Sequence, residues 1–352
     1  MEHSTKQSIP RALRAGGFAL VVLATLGFAT GQSRAAGTVV VYCGVNEEWC
    51  RAAAGAFEQK TGVHVDMTRQ SAGEIYARLR AEKDNPRGDI WFGGTGDPHL
   101  QAADQKLTEP YKSAALGQLR DWAQNQAERS GNRTVGLYLG ALGFGYNAKD
   151  LASHKLTPPA CWADLLQPGF KGEVQMADPN ASGTAWTMLA TIVQLMGEDK
   201  AFDYLKRLNK NIDQYTSAGA APAQAVGRGE TMVGVTFQHD MIDAAKTYKD
   251  VRVVSPCEGT GYEIGSMSLI SGARHPDEAR QFYDWALTPE AQVLAGQHGS
   301  YQIPSNTATP VPPEAPDISK IKLIDYDFAK YGSSAERTRL LTRWTQEVKN
   351  AS

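Results

Sequence analysis

The sequence predicts an α/β fold, and three observations carry that expectation. Stretches of β-branched and aromatic residues alternate with helix-period stretches along nearly the whole chain, the pattern of strands joined by covering helices. Several strand-to-helix turns are built from Ser, Thr, Gly and Ala. About 317 residues remain once an N-terminal export segment is set aside, with no Pro/Ser linker to divide them. That exceeds what one hydrophobic core ordinarily serves, so two lobes with strands crossing between them are expected.

The export segment comes first. Lys6, Arg11 and Arg14 precede an apolar run from Gly17 to Phe28, and Ser33-Arg34-Ala35 offers small residues for cleavage near Ala35. The run of about 12 residues is short of the roughly 20 that span a bilayer. Residues 1–35 are therefore expected to be a cleavable signal peptide that delivers a soluble protein to the periplasm. Their loss leaves 32 basic against 37 acidic residues, a net of −5. That balance lacks the basic excess of a nucleic-acid or polybasic membrane surface.

The mature chain opens on Thr38-Val39-Val40-Val41-Tyr42-Cys43, a β-branched run suited to a buried parallel strand. A helix is expected from Glu47 to about Thr61, stopped by Gly62, then a strand at Val63 to Met67 and a helix led by Ser71-Ala72-Gly73-Glu74. Asp89 to Phe92 reads as a third strand, and Gly94-Thr95-Gly96-Asp97-Pro98 opens the next helix. Val135 to Asn147 is strand-rich, and Glu173 to Met176 is an apolar-leaning run before the Asn180 to Thr184 turn. Trp162 to Leu166, Ala185 to Met196 and Pro222 to Gly227 look helical; Thr231 to Thr236 reads as a strand that ends on Phe237-Gln238-His239-Asp240. Tyr262 to Leu269 is strand-like, helices follow at Pro276 to Leu287 and Pro289 to Gln297, and the tail from Thr338 is amphipathic.

Four cysteines in an exported chain favour two disulfides over a metal site, and no C-x-x-C spacing occurs. Cys43 with Cys50 would close a small loop and Cys161 with Cys257 a long one. This is one of three possible pairings.

Four turns share one design: Ser71-Ala72-Gly73, Gly94-Thr95-Gly96, Ser182-Gly183-Thr184 and Ser217-Ala218-Gly219. Small residues let a ligand reach the backbone, and the first amides of a helix lack intrahelical acceptors. Ordinary N-capping uses the same residues. Four such turns at strand ends point further, because ligands of open α/β sheets bind there. Three converging helix N-termini would supply roughly 1.5 units of positive charge, against about −1.5 to −2 on a phosphate monoester. No arginine cluster adjoins these turns, and none is required. Ser71, Gly73, Thr95, Ser182, Gly183, Thr184 and Ser217 are thus the candidate phosphate ligands.

His239, Asp240 and Glu263 suit the other half of such a ligand, since carboxylates accept from paired hydroxyls and imidazole donates or accepts. Helix capping, core packing and surface exposure are their alternatives. Trp49, Phe237 or Trp186 could stack on a sugar ring. Nucleotide, zinc-protease and hydrolase motifs are missing. A Ser182, His239, Asp240 triad is disfavoured because adjacent side chains tend to diverge. No enzyme activity, cofactor or metal is expected.

The ordered series "VVVYCGVNEEW", "GDIWFGGTGDPHLQAA", "GFGYNAKDL", "CWADLL", "NASGTAW", "GYEIGSMSLI" and "SYQIPSN" resembles the periplasmic solute-binding proteins of ABC importers, in their ferric-iron/sugar-phosphate branch. The resemblance implies a type II binding-protein fold with two α/β lobes joined by a two-strand hinge. The lobes would be residues 36–135 with 265–305 and residues 136–264 with 306–352. Iron-binding members hold Fe(III) with His, Glu and two Tyr; the matching positions here are Asn46, Gly94 and Phe237-Gln238, which lack the anionic oxygens that ferric iron prefers. The hexose-phosphate-binding members use Ser, His-Asp and Glu, matching Ser71, His239-Asp240 and Glu263. The resemblance implies a monomeric receptor that passes a sugar phosphate to an inner-membrane permease and its ATPase. An aminoalkylphosphonate, ferric iron and an exported hydrolase are the alternatives.

Overall fold

A computed structural model describes residues 37–350; the expected signal peptide lies outside the described residues. The chain runs β1 (Thr38–Cys43), α1 (Glu47–Thr61), β2 (His64–Arg69), α2 (Ala72–Ala81), β3 (Ile90–Phe92), α3 (Gly96–Asp104), α4 (Asp121–Arg129) and β4 (Val135–Asn147). It continues through α5 (Ala148–Ser153), β5 (Val174–Ala177), α6 (Gly183–Met196), α7 (Glu198–Asn209), β6 (Ile212–Thr216), α8 (Ala221–Arg228), β7 (Val233–Phe237), α9 (Gln238–Thr247) and β8 (Val251–Val254). It closes with β9 (Tyr262–Leu269), α10 (Pro276–Ala286), α11 (Pro289–Gln297), β10 (Ile303–Pro304), α12 (Phe328–Tyr331) and α13 (Ser334–Trp344).

The strands are ordered β2-β1-β3-β9-β4-β7-β5-β6, with β8 and β10 also pairing with β4. Two parallel groups result. β1 pairs in parallel with β2 and β3, and β5 pairs in parallel with β6 and β7. The antiparallel strands β4 and β9 join the groups. The 13-residue β4 is shared by both: Val135 to Ala141 lie along β9, whereas Leu142 to Tyr146 lie along β7.

Each group has its own core, so β4 and β9 run from one core into the other. Val41, Phe57, Ile90, Phe92, Phe282 and Trp285 pack with Val135 and Leu137 of β4 and Met267 and Leu269 of β9. Trp162, Phe170, Trp186, Phe202 and Leu205 pack with Leu142 and Phe144 of β4 and Ile264 of β9. Apolar burial on this scale, worth roughly 1.5 to 3 kcal/mol per large side chain, holds each half while the link between them is two strands wide.

Disulfides Cys43–Cys50 and Cys161–Cys257 are both formed. The first ties the end of β1 to α1; the second joins segments 96 residues apart. Cys161 and Cys257 also lie near Glu258, but their sulfurs are bonded to each other, and the Glu258 carboxylate accepts from Trp162 and Ala163 N–H.

One boundary differs from the sequence reading in a way that matters. His239 and Asp240 do not end a strand: β7 stops at Phe237, and both residues lie in the first turn of α9. The Met241 to Ala245 stretch carries apolar residues at helical spacing, and an acidic residue in a first turn interacts favourably with the helix dipole. Asp240 there accepts from Thr236 Oγ1 at 2.8 Å.

Candidate functional site

Helix N-termini from both halves of the molecule meet on one cavity of about 370 Å³. Its wall includes Ser71 and Ala72 at the start of α2, Gly94 and Thr95 before α3, Ser182, Gly183 and Thr184 at the start of α6, and Gly219 and Ala220 before α8. Ser71, Thr95 and Ser182 are each at most 5% exposed. Ser71 and Glu74 form a capping box at the start of α2, with Glu74 Oε2 accepting from Ser71 N–H at 3.0 Å, and Ser71 Oγ also donates to the Ser217 carbonyl at 2.9 Å. Thr95 Oγ1 does not cap α3 and is buried without a partner among the described residues. First-turn amides that stay free at helix starts are anion donors.

The turns are packed against one another as well as against the cavity. An ideal Cβ on Gly183 would lie 1.7 Å from Thr95 Oγ1, so only glycine permits α6 to approach α3 this closely. Gly73 is not part of the wall; it packs on the Ala181 carbonyl. Ser217 is exposed, and the fourth turn faces the cavity through Gly219 and Ala220.

The opposite side carries Phe237, His239, Asp240 and Glu263. Glu263 is 4% exposed. Burial, reinforced by the nearby Asp240 and Asp97 charges, holds its carboxyl well above the usual carboxylate range. Burial lowers the pKa of His239, against an opposing effect from Asp240. His239 Nε2 stands 3.5 Å from Asp240 Oδ1, so the adjacent pair does not diverge as the sequence suggested. Ser182 Oγ accepts from Ala185 N–H at 3.4 Å as the cap of α6.

Five polar or charged wall residues had no assigned chemistry in the sequence reading: Glu47, Arg69, Tyr138, Ser300 and Gln302. Arg69 corrects the picture of a cradle without arginine. Its Nε donates to the Val45 carbonyl at 3.0 Å, and the rest of the guanidinium adds a positive group to the wall. The Tyr138 hydroxyl accepts from Gly94 N–H at 3.0 Å. Of the aromatic candidates, Phe237 reaches the cavity and stacks on the His239 ring at 5.5 Å. Trp186 is buried in a core, and Trp49 faces a separate apolar cavity of about 220 Å³ that shares Tyr138 and Gln302 with the first. The positions matching the iron ligands offer the amide Asn46, the backbone of Gly94 and the hydrocarbon ring of Phe237, a poor donor set for a hard cation.

The sequence matches the family described as "Bacterial extracellular solute-binding protein" over residues 94–331. The structure of the periplasmic binding protein AfuA from Actinobacillus pleuropneumoniae, with exogenous fructose-6-phosphate bound, is 45% identical; the match covers 90% of this chain and 99% of that one, at a TM-score of 0.87. An uncharacterized Haemophilus influenzae protein is 44% identical over 98% of this chain and 97% of its own. A Salmonella paratyphi A protein, described provisionally as a 2-aminoethylphosphonate-binding periplasmic protein, is 28% identical over 79% of this chain and 82% of its own. The paired parallel groups, the two shared strands and these likenesses agree on a type II binding-protein fold, and the chain belongs to the bacterial extracellular solute-binding protein family.

Proposed function

We propose that this protein is the periplasmic receptor of an ABC importer and captures a sugar phosphate, of hexose size, for delivery to an inner-membrane permease and its ATPase. The ligand would lie between lobes formed by residues 36–135 with 265–305 and 136–264 with 306–352. The observation that carries the reading is the two-sided character of the cavity. Helix N-termini face buried acceptors across about 370 Å³, within the usual size range of small-molecule sites.

Ser71, Thr95, Ser182, Gly183 and Thr184 would surround the phosphate, with the amides around Gly219 as a fourth contribution. Helix dipoles favour an anion here most when water is excluded, so closure of the lobes strengthens the contacts that it completes. His239, Asp240 and Glu263 would take the sugar hydroxyls, and Phe237 would lie against the ring. Capture ends with release of an unaltered ligand, so no bond is made or broken. The fructose-6-phosphate held by AfuA supports this reading.

An aminoalkylphosphonate is the second reading. The Salmonella relative favours it, and Asp240 with Glu263 could face an ammonium group. Titration calorimetry with glucose 6-phosphate, fructose 6-phosphate and 2-aminoethylphosphonate separates the two. The sugar esters are expected to bind at least roughly tenfold tighter, a difference of about 1.4 kcal/mol. Tighter binding of the phosphonate would reverse the assignment.

A further inference from the structure

Gly140 stands where three segments meet. Glu263 is its register partner on β9. On its other side, β10 pairs Ile303 with Leu139 and Pro304 with Tyr138, a register that brings Gln302 alongside. Gly140 has no side chain, and the His239 ring occupies that space. An ideal Cβ on Gly140 would lie 2.8 Å from His239 Nδ1 and 3.3 Å from Glu263 Oε1. His239, Glu263 and Gln302 are at most 6% exposed.

Gln302 Nε2 is 3.0 Å from His239 Nε2. An amide nitrogen has hydrogens to give and no lone pair to offer, so the imidazole Nε2 is the acceptor. Burial keeps the ring neutral, and a neutral ring carries one proton. That proton is then on Nδ1, which has no partner among the described residues and shares the face of Gly140 with Glu263. Asp240 Oδ1 pulls the other way, toward a proton on Nε2, but from 3.5 Å. Its second oxygen is engaged by Thr236, and the nearer amide prevails.

We infer that Gln302 is a positioning residue: it holds His239 in the Nδ1–H tautomer, which leaves the ring's one proton on the side that it shares with Glu263 and free for a ligand's oxygen. Gln302 Oε1, buried and without a partner among the described residues, remains as an acceptor. The consequence for ligand affinity rests on the sugar-phosphate reading; the tautomer does not.

Long-range proton–nitrogen NMR of the imidazoles in ¹⁵N-labelled full-length protein tests this, recorded alone and with excess glucose 6-phosphate. His239 is expected to show a protonated Nδ1 and an unprotonated Nε2. Gln302→Leu should abolish that single pattern, and Gln302→Glu, which places a carboxylate opposite Nε2, should move the proton there. Gln302→Leu should also weaken glucose 6-phosphate at least roughly tenfold while changing inorganic phosphate by less than about threefold. A protonated Nε2 in wild-type protein overturns the inference whether or not any variant folds. So does a Gln302→Leu protein that keeps both the wild-type tautomer and the wild-type ratio of affinities. A protonated Nδ1 in protein that binds no sugar phosphate would uphold the positioning of His239 and end the ligand assignment.

Discussion

Thr95 and Gly183 meet at the cleft with no room between them, since a side chain on Gly183 would begin 1.7 Å from Thr95 Oγ1. The contact joins the N-terminus of α3, which follows β3, to that of α6, which follows β5. The donors of one parallel group therefore reach the donors of the other only through a glycine.

Gly183→Ala should force α6 away from α3 and leave the phosphate contacts incomplete. Affinity for sugar phosphates should fall by roughly tenfold or more, equivalent to at least about 1.4 kcal/mol. Titration calorimetry measures this directly. Wild-type affinity in the alanine variant would show that the two turns need not touch in the bound state.

Asp240→Ala should divide the ligand into its two halves. Loss of a hydrogen bond to a charged group costs about 1.5 to 3 kcal/mol, so sugar esters should weaken by roughly tenfold to a hundredfold while inorganic phosphate is little affected. Equal losses for both would make Asp240 a structural residue that holds Thr236.

Asp97 gives a pH signature independent of any ligand. Burial raises its pKa to about 6 from an ordinary 3.8, while the hydrogen bond from the Tyr326 hydroxyl at 2.6 Å works to lower it. The folded state then binds more protons than the unfolded state between those values. The stability this provides is complete below about pH 3.8 and is lost as pH rises through about 6. At neutral pH the cost is about 3 kcal/mol, from 1.36 kcal/mol per unit. Asp97→Asn keeps an acceptor for Tyr326 without the charge, so its Tm should exceed wild type at pH 8, with the difference shrinking as pH falls toward about 3.8. A Tm difference independent of pH would contradict the assignment.

The disulfides should differ in worth because they close different loops. Chain entropy gives about 4 to 5 kcal/mol for a loop near 100 residues and about 2 to 3 kcal/mol for one of eight. Replacing both Cys161 and Cys257 by serine should therefore lower the Tm more than replacing Cys43 and Cys50. Differential scanning calorimetry of the two double variants decides the order.

Much of this architecture was legible in local patterns. Val39 to Tyr42 had to be a buried strand, and Ser182-Gly183-Thr184 had to begin a helix. The division of β4 between two sheets was not legible, because Leu137 and Phe144 are equally apolar and only their partners differ. The helical setting of His239 was missed because β7 passes into α9 at Phe237-Gln238 with no turn residue between them. Arg69 and Gln302 escaped notice for a related reason. Arg69 is the last residue of β2 and Gln302 the residue before β10, and only the fold brings them to the cleft, although Arg69 lies just two residues ahead of Ser71. The cavity itself depends on turns separated by more than 100 residues, as with Ser71 and Ser182.

The most direct test of the central claim compares an ester with its parent sugar by thermal shift. A ligand present at one hundred times its Kd adds about 2.7 kcal/mol to stability, which is several degrees for a chain of this length. Glucose 6-phosphate and fructose 6-phosphate are expected to raise the Tm by that much while free glucose leaves it unchanged. Free glucose matching its phosphate ester would contradict the account, because the converging helix N-termini would then contribute nothing to recognition.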